Sequence, residues 1–229
     1  MFPKNLTWKD AEDYLGSGKD VILIPIGSIE GHGYHLPLNT DVIIAEEIAS
    51  RVACKRGYLS LLAITYTITP SVRFGNVELS NQTFESLVED ILESFVKFGV
   101  KRFIMVLGHG GLDMKMSLIK VASSLFTMRP EVHTSLLHIS KIISKVSSID
   151  TRKDRHAGEW ETSFLLYFKP EVVGEKRVKD FTFPSKHAII GDPTIATKEK
   201  GEELTLKTVN WINDWIKERL EKPGVYYNW

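Results

Sequence analysis

The apolar run Val21-Ile22-Leu23-Ile24-Pro25-Ile26 offers no polar face to water. A strand of this composition is stable only when both of its faces are covered, which is the situation of a central strand in a layered α/β sheet. The chain then leaves the apolar region abruptly. Glycines and ionisable groups follow at once, in the order Glu30, His32 and Asp41. A buried strand that runs straight into a carboxylate, an imidazole and a second carboxylate suggests a metal site at the end of a sheet. Oxygen and imidazole donors without thiolate suit Zn, Mn or Fe(II). Carboxylates can bridge, so these residues alone leave one ion or two open.

The rest of the chain repeats the alternation. Thr7 and Asp10 predict a capped short helix ending near Gly16 and Gly18. Thr40 or Asp41 is expected to cap a helix that ends at Gly57. Its apolar side carries Val42, Ile44, Ala45, Ile48, Ala49 and Val52. Leu59 to Thr67 reads as a second strand. Thr83 is expected to cap the next helix, with Leu87, Ile91, Phe95 and Phe98 at helical spacing. Between them, Thr69 to Gln82 is long for a connection and suggests a lid or a wall of a site. Arg102 to Leu107 is a third buried strand, followed by Gly108-His109-Gly110-Gly111 and a helix to about Phe126. Val132 to Ile139 is a fourth strand, and Thr197 to about Glu221 a final long helix.

Strands alternating with helices predict a three-layer α/β/α sandwich around a mostly parallel sheet, built as one domain over residues 1–229. In such sheets ligands bind at the carboxyl ends of strands. Glu30 and His32 follow the first strand and His109 the third, so both segments converge on one edge. A third cluster, Asp154-Arg155-His156-Ala157-Gly158-Glu159-Trp160-Glu161, stands before the apolar stretch Phe164 to Phe168.

Composition limits the partners. The 229 residues carry 29 basic and 29 acidic side chains, so no net charge draws the chain to nucleic acid or an anionic membrane. No apolar run is long enough to span a bilayer. Met1 to Asn5 lack the pattern of a signal peptide, and a cytoplasmic location is expected. Cys54 has no partner for an internal disulfide and is expected to pack as a small hydrophobe.

The three ionisable segments, in this order and spacing, resemble the creatininase (creatinine amidohydrolase) family. Its members carry Gly-Ser-x-Glu-x-His-Gly-x-His-Leu-Pro-x-x-Thr-Asp, matched by Gly27 to Asp41. They then carry Gly-His-Gly-Gly-Asn, matched by Gly108 to Leu112 except at the last residue, and His-Ala-Gly-x-x-Glu-Thr-Ser, matched by His156 to Ser163. The likeness extends to Leu6-Thr7-Trp8 and to Lys198 to Glu202, nearly the whole chain.

The resemblance implies an α/β/α fold, assembly as a homohexamer, and two divalent metal ions that support hydrolysis of a carbon–nitrogen bond in a small molecule. On the matching positions Glu30 and His109 would hold one ion and His32 the other, with Asp41 bridging and water as the nucleophile. His156 matches the histidine that transfers a proton to the leaving nitrogen, and Glu161 a glutamate at the site.

Departures from the pattern are informative. The family's creatinine-hydrolysing members carry a metal-binding glutamate at the position of Gly111. We expect Glu159 to replace that ligand. Leu107 and Leu112 stand where most members have asparagines. Arg155 and Arg152 stand for an acid and a tryptophan that shape the creatinine pocket, which turns the expected substrate toward an anionic amide or lactam. A formamidopyrimidine-nucleotide deformylase, a peptide-trimming enzyme and a catalytically inert oligomer are the alternatives.

Overall fold

A computed structural model describes residues 6–70 and 72–229. The Met1 to Asn5 segment, on which the reading about a signal peptide rests, lies outside the described residues, as does Ser71. Five strands form one sheet in the order β2–β1–β3–β4–β5. They are β1 (Val21–Ile26), β2 (Leu59–Ser60), β3 (Arg102–Leu107), β4 (His133–His138) and β5 (Gly224–Tyr227). Every neighbouring pair is parallel.

The sheet is covered on both faces, as the apolar strands require. Val21 and Leu23 of β1 face one core with Ile104, Val106 and Leu137. That core is closed by α2 (Thr40–Arg56), α5 (Ile139–Val146), α6 (Glu159–Phe168) and α7 (Lys198–Arg219). Ile22, Ile24 and Ile26 face the other core, closed by α1 (Trp8–Gly16), α3 (Asn81–Val96) and α4 (Leu112–Met128). The α/β/α arrangement expected from the sequence is the one observed.

Several boundaries moved. The second strand keeps regular pairing only over Leu59 and Ser60, and the chain touches β1 again by an isolated bridge from Ile64 to Ile26. Pro25 explains this. Its carbonyl accepts from the Ile64 amide at 3.0 Å, which places its missing N–H on the β2 side, so the ladder cannot continue there.

Helix α3 is capped by Ser80 rather than Thr83, and it buries Phe84, Val88 and Leu92. The neighbouring stripe read from the sequence is more exposed, Leu87 at 39 % and Phe98 at 74 %. Two adjacent stripes had helical spacing, and contact with the sheet selected one. Cys54 is exposed rather than packed, on the outer side of α2. Helix α5 and strand β5 were not anticipated, both being short. No helix among the described residues is long and apolar enough to cross a membrane.

The strand order places β1 between β2 and β3, so the direction of winding reverses at β1 and β3. This is the topological switch point, where the loops leaving adjacent strands diverge and open a crevice.

Candidate metal centre

Two glycines set the position of Asp41. A Cβ on Gly27 would stand 2.5 Å from the Val42 amide nitrogen, and one on Gly108 would stand 2.2 Å from the Asp41 carbonyl oxygen. The ends of β1 and β3 therefore press directly on the first turn of α2. Asn39 occupies the N-cap position, without a side-chain bond, and Asp41 is the second residue of the helix rather than its cap. Its side chain is left to reach into the crevice, 2 % exposed.

Asp41 is shared between two groups of donors. One carboxylate oxygen lies 3.2 Å from His32 Nε2 and the other 3.3 Å from His109 Nδ1. Glu30 approaches His109 Nδ1 at 2.6 Å. Ligand atoms of Glu30, Asp41 and His109 lie within 4.8 Å of one another, as do those of His32, Asp41 and Glu161. A third such group joins Glu30, His32 and His156.

The donors fit divalent cations on electrostatic grounds. The single hydroxyl proton of Ser28 faces both Glu30, at 2.9 Å, and Asp41, at 2.6 Å, and cannot satisfy both. Burial disfavours ionised His32, yet Asp41 beside it outweighs that and pushes its pKa up to about 10. His109 is likewise driven up to about 10 against burial, by Asp41 and Glu30. Burial alone would raise the carboxyls of Glu30 and Asp41, but the same imidazoles hold both below the ordinary range. Burial, with Asp41 nearby, pushes Glu161 up to about 8. Without metal, this site collects protons to neutralise packed carboxylates. Divalent ions among oxygen and imidazole donors do the same work and displace those protons.

The third segment is fixed from two sides. Asp154 accepts from the amides of Glu159 at 2.8 Å and Trp160 at 3.1 Å, capping the first turn of α6 across the turn at Ala157, whose φ is 49°. His35, from the first motif, lies 2.9 Å from the Thr162 hydroxyl and braces the same helix. Glu161 faces the cluster and accepts from the Ala157 amide.

Glu159 does not join the donors, which corrects the expectation that it supplies the missing carboxylate. It turns outward and pairs with Lys200 at 2.7 Å. Residues two apart on a helix point to opposite sides, so once Glu161 faces the cluster Glu159 cannot. Accordingly, Glu159→Ala is expected to keep the full metal content, whereas Glu161→Ala loses the ion nearest His32. Metal analysis of the two purified variants compares them directly, and equal losses would contradict this assignment.

The His156 ring lies 4.2 Å from that of His32, tilted 36° to it, and its Nε2 donates to the Gly31 carbonyl at 2.7 Å. Gly111 takes the space of the absent glutamate: a Cβ there would stand 2.5 Å from His109 Nε2. That nitrogen has no hydrogen-bond partner among the described residues, so none of them gives His109 the outer anchor that usually orients a ligating imidazole.

A cavity of about 760 Å³ opens over the cluster, lined by Glu30, Asp41, His109, His156 and Glu161. Arg155 lines it with its guanidinium 5.9 Å from the Phe183 ring, and Arg152 lies at the rim, paired with Asp150 at 2.9 Å. The long connection after Thr69, expected to be a lid or a wall, lines the cavity through Val72, Arg73 and Asn76. Arg73 donates to the carbonyls of Ser185 and Lys186, and Asn76 accepts from the Gly31 amide at 2.9 Å. The sequence reading gave no role to Ser28, Lys115, His138 or Lys141. His138 carried a signal of the same kind as His109, an imidazole at the carboxyl end of a strand.

Comparison with known proteins agrees with this geometry. The profile described as "Creatininase: Creatinine amidohydrolase" matches residues 4–216. The creatinine amidohydrolase of Pseudomonas putida is 26 % identical over 95 % of this chain and 96 % of its own length. The mycofactocin precursor peptide peptidase of Mycolicibacterium smegmatis is 29 % identical over 94 % of this chain and 92 % of its own. A shorter match, 33 % identical over 40 % of this chain and 36 % of the relative, is to the 2-amino-5-formylamino-6-ribosylaminopyrimidin-4(3H)-one 5'-monophosphate deformylase of Methanococcus voltae. Among solved structures, a creatinine amidohydrolase superposes with a TM-score of 0.86 at 24 % identity, covering 96 % of this chain and 97 % of the other.

Proposed function

The chain belongs to the creatininase family of amidohydrolases, and from that premise we propose that it is a metal-dependent enzyme acting on a small anionic amide or lactam. The observation that carries this reading is the sharing of Asp41 between two donor groups, Glu30–Asp41–His109 and His32–Asp41–Glu161. Two divalent ions held there supply polarisation of a carbonyl and acidification of water.

The protein's own groups do the rest. His156 Nε2 carries the hydrogen donated to the Gly31 carbonyl, so Nδ1 is the nitrogen free to accept a proton. Burial, reinforced by His32, holds its pKa below the ordinary value, so the ring stands neutral and ready to take a proton. In this reading the proton gained at Nδ1 passes to the leaving nitrogen. Trp160 and Ile190 close the cavity wall and keep bulk water from the reacting groups. Arg152 and Arg155 bind an anionic substituent.

Replacing His156 by alanine is expected to lower kcat by about 10²–10⁴-fold while both ions stay bound. A parallel loss of metal would instead make His156 a ligand, which its place beside Glu30 and His32 allows.

The overall test is metal analysis after mild purification, followed by hydrolysis assays on creatinine, a formamidopyrimidine nucleotide and small lactams. About two ions per chain are expected, with negligible turnover of creatinine. Less than about one ion per chain would favour an inert protein. Robust creatinine hydrolysis would sink the role given to Arg152 and Arg155. The deformylase reading is the second candidate, favoured by the match to the Methanococcus voltae enzyme. A cytoplasmic homohexamer is part of the same proposal, and light scattering tests the assembly.

A further inference from the structure

We propose that the cavity wall formed by the starts of α4 and α5 is a subsite for a phosphate-sized dianion carried by the substrate. The proposal rests on the hydrolase reading above and assigns a second anionic group of its substrate, separate from the one given to Arg152 and Arg155. The acids that line the cavity are Glu30, Asp41 and Glu161, all in the metal-binding groups. Cations line the same cavity. Lys115 of α4 and Lys141 of α5 line it together with Ser140 and His138.

Among the described residues these cations have no carboxylate partner, and Lys115 stands 5.6 Å from the Trp229 ring. Burial, then repulsion from Lys141, lowers the Lys115 pKa. An anion bound between two part-buried ammonium groups on one cavity would offset their mutual repulsion.

The surrounding donors match such an anion. Neither α4 nor α5 has a side-chain cap, so their first amides remain available at the wall. His138 ends β4 and is 6 % exposed. Asn228 satisfies both of its backbone groups, at 2.9 and 3.1 Å, while its ring Nδ1 has no hydrogen-bond partner among the described residues. The ring faces the glycine turn that floors the cavity: a Cβ on Gly110 would stand 2.9 Å from its Cε1 and Nε2. Two cations, open helix starts and a spare imidazole suit a phosphate dianion better than a carboxylate, which has one charge and two oxygens.

Equilibrium dialysis with inorganic phosphate tests the subsite on the metal-loaded enzyme, on the same enzyme after chelation, and on a Lys115→Ala/Lys141→Ala variant. Phosphate is expected to bind with and without metal, and on the order of tenfold or more weakly in the double variant. Binding that vanishes on chelation but ignores the lysines would place the anion on the metals and overturn the subsite, leaving the hydrolase reading intact. No binding in any arm overturns it equally. Phosphate bound to a protein that holds no metal and hydrolyses nothing would instead sink the hydrolase reading alone.

Discussion

Asp41→Ala is expected to remove both ions and abolish hydrolysis, because Asp41 alone belongs to both principal donor groups. Loss of Glu30 or Glu161 leaves one group intact, whereas loss of Asp41 leaves neither with a carboxylate between its imidazole and its second acid. The variant also leaves His32 and His109 without the charge that orients them, at 3.2 and 3.3 Å. Metal-borne charge stabilisation is worth several kcal/mol, so the rate should fall by at least roughly a thousandfold. Plasma emission analysis of the purified variant gives the metal content, and circular dichroism shows whether the fold survives. A folded variant that retains both ions would refute the bridging role.

Metal removal should make stability strongly dependent on alkaline pH. His32 and His109 have folded pKa values near 10, above the ordinary value of 6.5. Their stabilising contribution is therefore complete below about pH 6.5 and is lost as the pH rises toward 10. Glu161 acts in the same direction, since a carboxyl raised to about 8 favours the folded state only while protonated. Asp41 works the other way: its lowered pKa gives stability above the ordinary carboxyl range that is lost only as the pH falls through the folded value. Between pH 6.5 and 9 the metal-free protein should thus lose stability.

The loaded protein should not lose stability over this interval, because ligands must be deprotonated to hold metal. A loss of about 2 kcal/mol corresponds to roughly 4–8 °C in Tm for a chain of this size. Differential scanning calorimetry of chelated and reloaded samples across this interval is the measurement. Parallel curves for the two forms would show that the cluster does not couple metal to protons.

The comparison of Glu159 with Glu161 separates what a sequence can convey from what it cannot. Both are acidic residues in the first turn of an apolar helix, and composition does not rank them. The rank comes from the rotation of α6, which is set by Trp160, Phe164 and Leu165 entering the core and by Asp154 holding the first turn. The two stripes of α3 pose the same problem. Pro25, by contrast, was visible throughout, but its effect on β2 depends on which neighbour its missing N–H faces.

Local order in the chain was sufficient to determine the buried parallel strands, the helices between them, and the convergence of Glu30, His32 and His109 on one edge. These follow from short-range periodicity and from the rule that strand ends share a side of the sheet. The family resemblance already implied a bridging Asp41 and a glutamate at Glu161; only the tertiary structure decided that Glu159 turns to Lys200 instead, and that Lys115, His138 and Lys141 line one cavity. Each of those depends on a close approach between segments distant in sequence, such as Gly108 against Asp41 or Gly110 against the His138 ring. Such approaches are fixed by packing the whole core at once, and no local pattern encodes them.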